Sequence, residues 1–190
     1  MLLYMIRHGE SETNKAGVNG GCHLPINLTE KGIEEAKEAG KTIAGIKFDK
    51  IYSSTLKRAI QTCKVALPGC EPILNENLRE FDVGNVEGVR TLECQQKYGD
   101  AWFEAVRQHD FTAFGGETRH THRERLKKFL EILEKEPCDN IAAFAHEGTI
   151  RRMYEIAMDT DECTDIRCKN GGVYVFEFDG EKWLLKKWEL

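Results

Sequence analysis

No run of apolar residues in this chain is long enough to cross a membrane or to form the core of an export signal. The first, Leu2 to Ile6, is five residues long and ends at Arg7. No C-x-x-C pair occurs either. The seven cysteines, Cys22, Cys63, Cys70, Cys94, Cys138, Cys163 and Cys168, are odd in number and scattered. That pattern argues against a disulfide framework and for reduced thiols in a cytoplasmic protein. Repeats and low-complexity stretches are missing, and there are only 4 prolines, which excludes collagen-like and proline-rich linker architectures. An excess of positive charge is missing too. Lys and Arg number 27 against 32 Asp and Glu, a net charge of −5, so nucleic acid is not an expected partner and any anion must be held by a local cluster. What remains is 190 residues, 41% hydrophobic and 31% charged. This composition suits a single globular domain over residues 1–190.

The punctuation predicts alternating strands and helices. Leu2–Ile6 reads as a strand buried on both faces, and a glycine-rich loop follows at residues 17–21. Thr29 is placed to cap a helix whose apolar stripe is Ile33, Ala36, Ile43 and Ala44, ending near Gly45. Residues 48–52 supply a second strand, after which Ser53 and Ser54 offer an N-cap to a helix carrying Leu56, Ala59, Ile60, Cys63 and Leu67. Asn140 to Ala145 reads as a third buried strand with a helix over 147–158, and residues 173–178 and 183–188 as a hairpin about Asp179-Gly180. The expected fold is α/β: a three-layer α/β/α arrangement with a mostly parallel central sheet. Residues from about 84 to 136 read as an α-helical cap excursion lying over the sheet's edge.

Ligands of open α/β sheets bind beyond the carboxyl ends of the strands. Those positions hold Arg7 and His8 after the first strand, Ser53 to Arg58 after the second, and His146 after the third. Two guanidinium groups sharing a dry pocket need an anion between them, and their planar donors suit phosphate oxygens. Helix N-termini after Ser54 and His146 add positive dipole ends. Taken singly, each histidine reads as a structural residue and Arg58 as a solvated one. Their coincidence at strand ends predicts a phosphoryl pocket. Neither His120-x-His122 nor Cys163-x4-Cys168 has a partner pair, so no metal site is expected. Trp102, Phe103, Phe111, Phe114, Arg119 and His120 are the expected substrate-specifying wall of the cap.

Six ordered blocks over nearly the whole chain resemble the histidine phosphatase superfamily, also called phosphoglycerate-mutase-like. They are Arg7-His8-Gly9-Glu10-Ser11 with Asn14, the segment 28–32, the block 51–62, the block 78–88, Gly115-Gly116-Glu117-Thr118, and the block 145–151. Four positions depart from the family pattern. Asn27 and Thr55 stand where proline is common, Val86 where tryptophan is typical, and Glu147 puts a carboxylate beside the pocket.

The resemblance implies that His8 is the nucleophile, forming a phosphohistidine, and that Arg7, Arg58, His146 and Asn14 hold the phosphoryl oxygens. It makes Glu80 the acid that protonates the leaving group and then the base that activates water. The implied activity is metal-independent hydrolysis of a small phosphorylated metabolite, without a cofactor and with the oligomeric state open. A phosphoglycerate mutase is the nearest alternative. That branch tends to be longer, and the E-F-D-x-G-x-x-E-G block at 80–88 is typical of the phosphatase branches. A non-catalytic phosphate-binding module is an alternative of another class.

Overall fold

The computed structural model describes residues 1–162 and 166–190, so Cys163 lies outside the described residues. Six strands form one sheet: β1 (Leu2–Arg7), β2 (Lys50–Ser53), β3 (Ile73–Leu74), β4 (Asn140–Ala145), β5 (Val173–Phe178) and β6 (Trp183–Lys187), in the order β3-β2-β4-β1-β5-β6. Strands β3, β2, β4 and β1 run parallel, while β5 is antiparallel to β1 and to β6, giving the mostly parallel sheet expected. The helices are α1 (Glu12–Ala16), α2 (Glu30–Thr42), α3 (Lys57–Ala66), α4 (Thr91–Tyr98), α5 (Asp100–Gln108), α6 (Arg119–Leu133) and α7 (Glu147–Ala157). None among the described residues is long and apolar enough to cross a membrane.

Successive side chains of a strand point to opposite faces, so each central strand feeds two cores. Leu3, Met5, Ile141, Ala143 and Ala145 pack against Leu126, Phe129, Leu130 and Leu133 of α6 and Ile150 and Met153 of α7. Tyr4, Ile6, Ala142 and Phe144 pack on the other face with Ala39 of α2, Ile43, and Cys63 and Ala66 of α3. Each fully buried large side chain contributes roughly 1.5–3 kcal/mol. Truncating Phe129, which is wholly buried, to alanine costs about 3–5 kcal/mol.

A third, smaller cluster of Phe81, Val86, Cys94, Trp102, Ala105, Phe111 and Phe114 forms the cap's own core. The cap is therefore shorter than the sequence suggests. α6 is amphipathic, but its apolar face covers the sheet, so it belongs to the sandwich, and the cap ends near Thr118, the residue that caps α6. Other details also shift. Ile33 and Ala44 leave the predicted stripe for solvent, and β3 escaped notice because it is two exposed residues. Neither Ser53 nor Ser54 caps α3. The N-cap is Leu56, and Ser54 Oγ instead accepts from the Leu56 N–H at 3.2 Å.

Candidate active site

The strand register builds the site. Arg7 on β1 pairs with Ala145 on β4, which sets the next residues, His8 and His146, side by side with ring centroids 5.1 Å apart. On the other flank of β4, Ser53 of β2 pairs with Phe144, and Ser54 then bonds to His146: Ser54 Oγ lies 2.8 Å from His146 Nε2. α3 begins three residues beyond Ser54 and delivers Arg58 to the same place. His8, Arg58 and His146 are 3%, 2% and 0% exposed.

The chain can turn so tightly after β1 because of paired glycines. A Cβ on Gly9 would lie 2.1 Å from the Gly32 carbonyl oxygen, and one on Gly32 would lie 2.0 Å from that of Glu10. The backbone of α2 thus packs directly on the loop that carries His8. Thr62 of α3 accepts from the Gly9 N–H at 3.1 Å and donates to the Arg58 carbonyl at 2.8 Å, tying loop and helix together.

Two neighbours fix the tautomer of His8. Its Nδ1 lies 2.7 Å from the Gly9 carbonyl, which can only accept, so Nδ1 carries the proton. Its Nε2 receives a hydrogen bond from Arg58 Nε at 3.3 Å, and a guanidinium can only donate, so Nε2 presents a lone pair. Burial, and after it the charges of Arg58 and Arg7, hold His8 well below the ordinary imidazole value of 6.5. The ring is neutral, with its unprotonated nitrogen beside two cations.

His146 is kept neutral in the same way, by burial and then by Arg58, His8 and Arg7. Ser54 Oγ accepts from Leu56 N–H and shares a 2.8 Å hydrogen bond with His146 Nε2, and with the Ser54 proton directed to Nε2 the ring proton of His146 sits on Nδ1. That N–H, together with Arg7 Nε and Arg58 Nη1, is buried with no partner among the described residues. Other contacts fix the two arginines. Arg58 Nη2 donates to the Gly21 carbonyl at 2.9 Å, Arg7 Nη1 donates to the Cys168 carbonyl, and Arg7 Nη2 meets Glu147 Oε2 at 3.1 Å. Burial pulls Arg58 down, with the Glu80 and Glu87 carboxylates opposing it. A buried donor left unpaired costs roughly 1–3 kcal/mol, so each of these groups is open to an acceptor such as an anion.

Glu80 stands at the N-terminus of α7, accepting from Phe81 N–H at 2.8 Å and Gly148 N–H at 3.2 Å. It lines a cleft of about 320 Å³ bounded by Asn19, Gly20, Phe81, Val83, Val106, His109, Phe111, Glu147, Gly148 and Arg151. Glu147 does not project free charge into this space. Its oxygens pair with Arg7 and, at 2.7 Å, with Arg151. Asn14 is exposed at the site's outer side. Its Oδ1 accepts from the Ser11 N–H at 3.1 Å in the capping box of α1, so only its amide nitrogen remains to meet a ligand.

The expected aromatic wall is mostly not a wall. Only Phe111 of that set lines the cleft. Trp102 and Phe114 fill the cap core, Phe103 is 54% exposed, Arg119 pairs with Glu155, and His120 faces solvent. His122 is buried against Phe81 and 3.4 Å from Thr149 Oγ1. Sequence reasoning missed Ser54 as the partner of His146 and missed His109, Val83 and Val106 in the cleft. Ser54 lies in the block 51–62, but its role depends on β2 lying beside β4. The six described cysteines are free thiols.

The chain is similar to known proteins over nearly its whole length. The 2,3-bisphosphoglycerate-dependent phosphoglycerate mutase of Parvibaculum lavamentivorans is 31% identical over 98% of this chain and 94% of its own length. Phosphoglycerate mutase-like protein 4 of Arabidopsis thaliana is 29% identical over 98% of this chain and 84% of its own. The α-ribazole phosphatase of Shigella flexneri superimposes with a TM-score of 0.83 at 25% identity, covering 98% of this chain and 95% of that one. The match to a mutase of nearly the same length removes chain length as a criterion between the two activities. The profile of the histidine phosphatase superfamily (branch 1) matches residues 3–190, and the chain therefore belongs to that superfamily, whose members are phosphatases or mutases.

Proposed function

We propose that the protein is a metal-independent phosphomonoester hydrolase that works through a phosphohistidine on His8, acting on a small phosphorylated metabolite. The observation that carries this reading is the meeting of a lone pair on His8 Nε2 with three buried, unpartnered donors on Arg7, Arg58 and His146. A phosphoryl group seated there satisfies the donors while its phosphorus faces the nucleophile. As Nε2 attacks, charge gathers on the phosphoryl oxygens, and donors already in place stabilise it without reorganisation. Bond formation makes the imidazole cationic, and the Gly9 carbonyl on Nδ1–H holds it in line. Asn14 adds its amide N–H from the outer side.

Glu80 borders the cleft that receives the rest of the substrate. It gives a proton to the leaving alcohol, then takes one from the water that attacks phospho-His8, restoring the free enzyme and releasing phosphate. Two guanidiniums supply the charge that a divalent ion provides elsewhere, and neutral His146 adds a hydrogen bond, so the chemistry needs neither metal nor cofactor. The partner proposed is a small phosphate ester rather than nucleic acid or a membrane.

Hydrolysis rather than transfer is favoured by the cleft. Its apolar side includes Val83, Val106 and Phe111, and Val106 is 42% exposed, so the cleft is not sealed against water. A mutase must return the phosphoryl group to its acceptor before water intervenes. The curated relatives named as mutases keep that second reading in play. Incubation with a panel of phosphomonoesters and with 3-phosphoglycerate, in EDTA, separates the readings. Stoichiometric inorganic phosphate supports hydrolysis. Interconversion of 2- and 3-phosphoglycerate with little free phosphate makes the protein a mutase, and no turnover on any ester makes it a binding module.

A further inference from the structure

The loop that anchors Arg58 carries a second cluster that the phosphate chemistry does not use. Cys22 Sγ lies 3.5 Å from His23 Nε2, the same nitrogen lies 3.1 Å from Asp82 Oδ2, and all three atoms lie within 4.8 Å of one another. Zinc bound tetrahedrally by thiolate at about 2.3 Å, imidazole at about 2.0–2.1 Å and carboxylate at about 2.0–2.2 Å sets its ligand atoms roughly 3.3–3.6 Å apart. Two edges of this cluster already lie near that range. A neutral imidazole nitrogen has one in-plane site, which serves a single partner well. Here two partners converge on it, and a cation between them would serve all three lone pairs.

Each donor is aimed by a contact of its own. Asp82 Oδ1 accepts from the Gly84 N–H at 2.8 Å, turning Oδ2 to the cluster, and the Asp82 N–H donates to Glu117 Oε1 at 3.0 Å. The His23 N–H donates to both oxygens of Glu87, at 3.0 and 3.1 Å, and the Cys22 carbonyl accepts from the Arg79 guanidinium. Outer contacts of this kind are what orient first ligands in metal sites. Cys22 is buried while the His23 side chain is 60% exposed, which gives an ion both a path in and a solvent-facing fourth position.

We propose that Cys22, His23 and Asp82 form a binding site for a zinc-class divalent ion with water in the fourth position. One thiolate and one carboxylate balance the ion's charge, and a sulfur–nitrogen–oxygen set selects zinc over magnesium or calcium, which take oxygen ligands. The site stands apart from catalysis but not far from it. It ties the loop whose Gly21 carbonyl holds Arg58 to the segment that begins with Glu80, so the ion braces that junction and adds stability rather than turnover.

The test is titration of metal-free protein with zinc against a chromophoric chelator, repeated with cobalt(II) as a spectroscopic probe. The site predicts one ion per chain, a thiolate-to-cobalt charge-transfer band and a raised Tm. Cys22→Ser abolishes the band, and His23→Ala weakens zinc at least about tenfold, the scale on which even outer-shell changes act. His23 is exposed, so that variant folds whether or not the serine variant does. Phosphatase turnover persists in His23→Ala and in chelator. Absence of zinc binding, or binding undiminished in His23→Ala, overturns the site.

Discussion

At the carboxyl rim of the sheet, His8, Ser54, Arg58 and His146 are each at most 3% exposed, and each is held by a partner fixed by strand register or helix packing. Beneath the cap, Val106 is 42% exposed, and the lining comes from loops, the short helix α5 and the start of α7, beside a cluster of seven buried side chains. The rim rests on two large cores that a local change cannot easily shift. The cap has a small core of its own and can vary without disturbing them. The proposed function puts the chemistry in the rim and the selectivity in the cap. Glu80 stands at the seam, with its carboxylate bound to the first turn of α7.

The seam gives the largest effect. Glu80→Gln slows hydrolysis of an alkyl phosphate by about 10²–10⁴-fold. Phosphorylation of His8 by p-nitrophenyl phosphate, whose leaving group needs no proton, suffers far less. Single-turnover kinetics of the phosphorylation step with both esters checks this. Equal slowing would mean that Glu80 acts through pocket charge, with the acid to be sought at Glu147 or Glu10.

Gly148→Ala sharpens the same point without removing a functional group. A Cβ there lies 2.3 Å from Glu80 Oε1 and 3.3 Å from the His122 ring, so the flexible carboxylate end must swing away. A displacement of about 1 Å costs on the order of 10²-fold in rate. Turnover of alkyl esters falls on that scale while the Tm changes little. Unchanged turnover would show that the position of Glu80 is not critical.

Within the cap, Val106→Ser changes KM by about tenfold or less, unequally among esters with apolar and polar alcohols. It leaves the phosphorylation rate at saturation intact. A uniform loss of kcat would contradict the division between rim and cap.

The smallest effect is on stability. His8, His122 and His146 are all held well below the ordinary imidazole value, so the folded chain stays unprotonated where the unfolded chain takes up protons. The unfolded state binds more protons below about pH 6.5, and stability falls as pH drops through that value. The urea midpoint at pH 5.5 is expected below that at pH 7, with little change between pH 7 and 8. A midpoint that rose on acidification would reverse the sign.

The rim was legible in the sequence for a physical reason. Buried parallel strands are short apolar runs, and their ligand-binding residues follow them immediately, so Arg7, His8, Arg58 and His146 could be located before any contact was known. Their anchors could not. The Cys168 carbonyl on Arg7 and the Gly21 carbonyl on Arg58 come from loops 161 and 37 residues away in sequence. The cap was misread because amphipathic periodicity says that α6 is a helix and not which surface it covers. Aromatic residues such as Trp102 and Phe114 carry the same signal whether they line a cleft or fill a core.

His8 as the phosphoryl acceptor is tested most directly by rapid quench of a turnover with phosphorus-labelled ester. It predicts a phosphoenzyme that is labile in acid and stable in alkali, mapped to the peptide containing His8. Label is absent from His8→Ala and still forms, slowly, in His146→Ala. Label on any other residue, or a phosphoenzyme in His8→Ala, would contradict it.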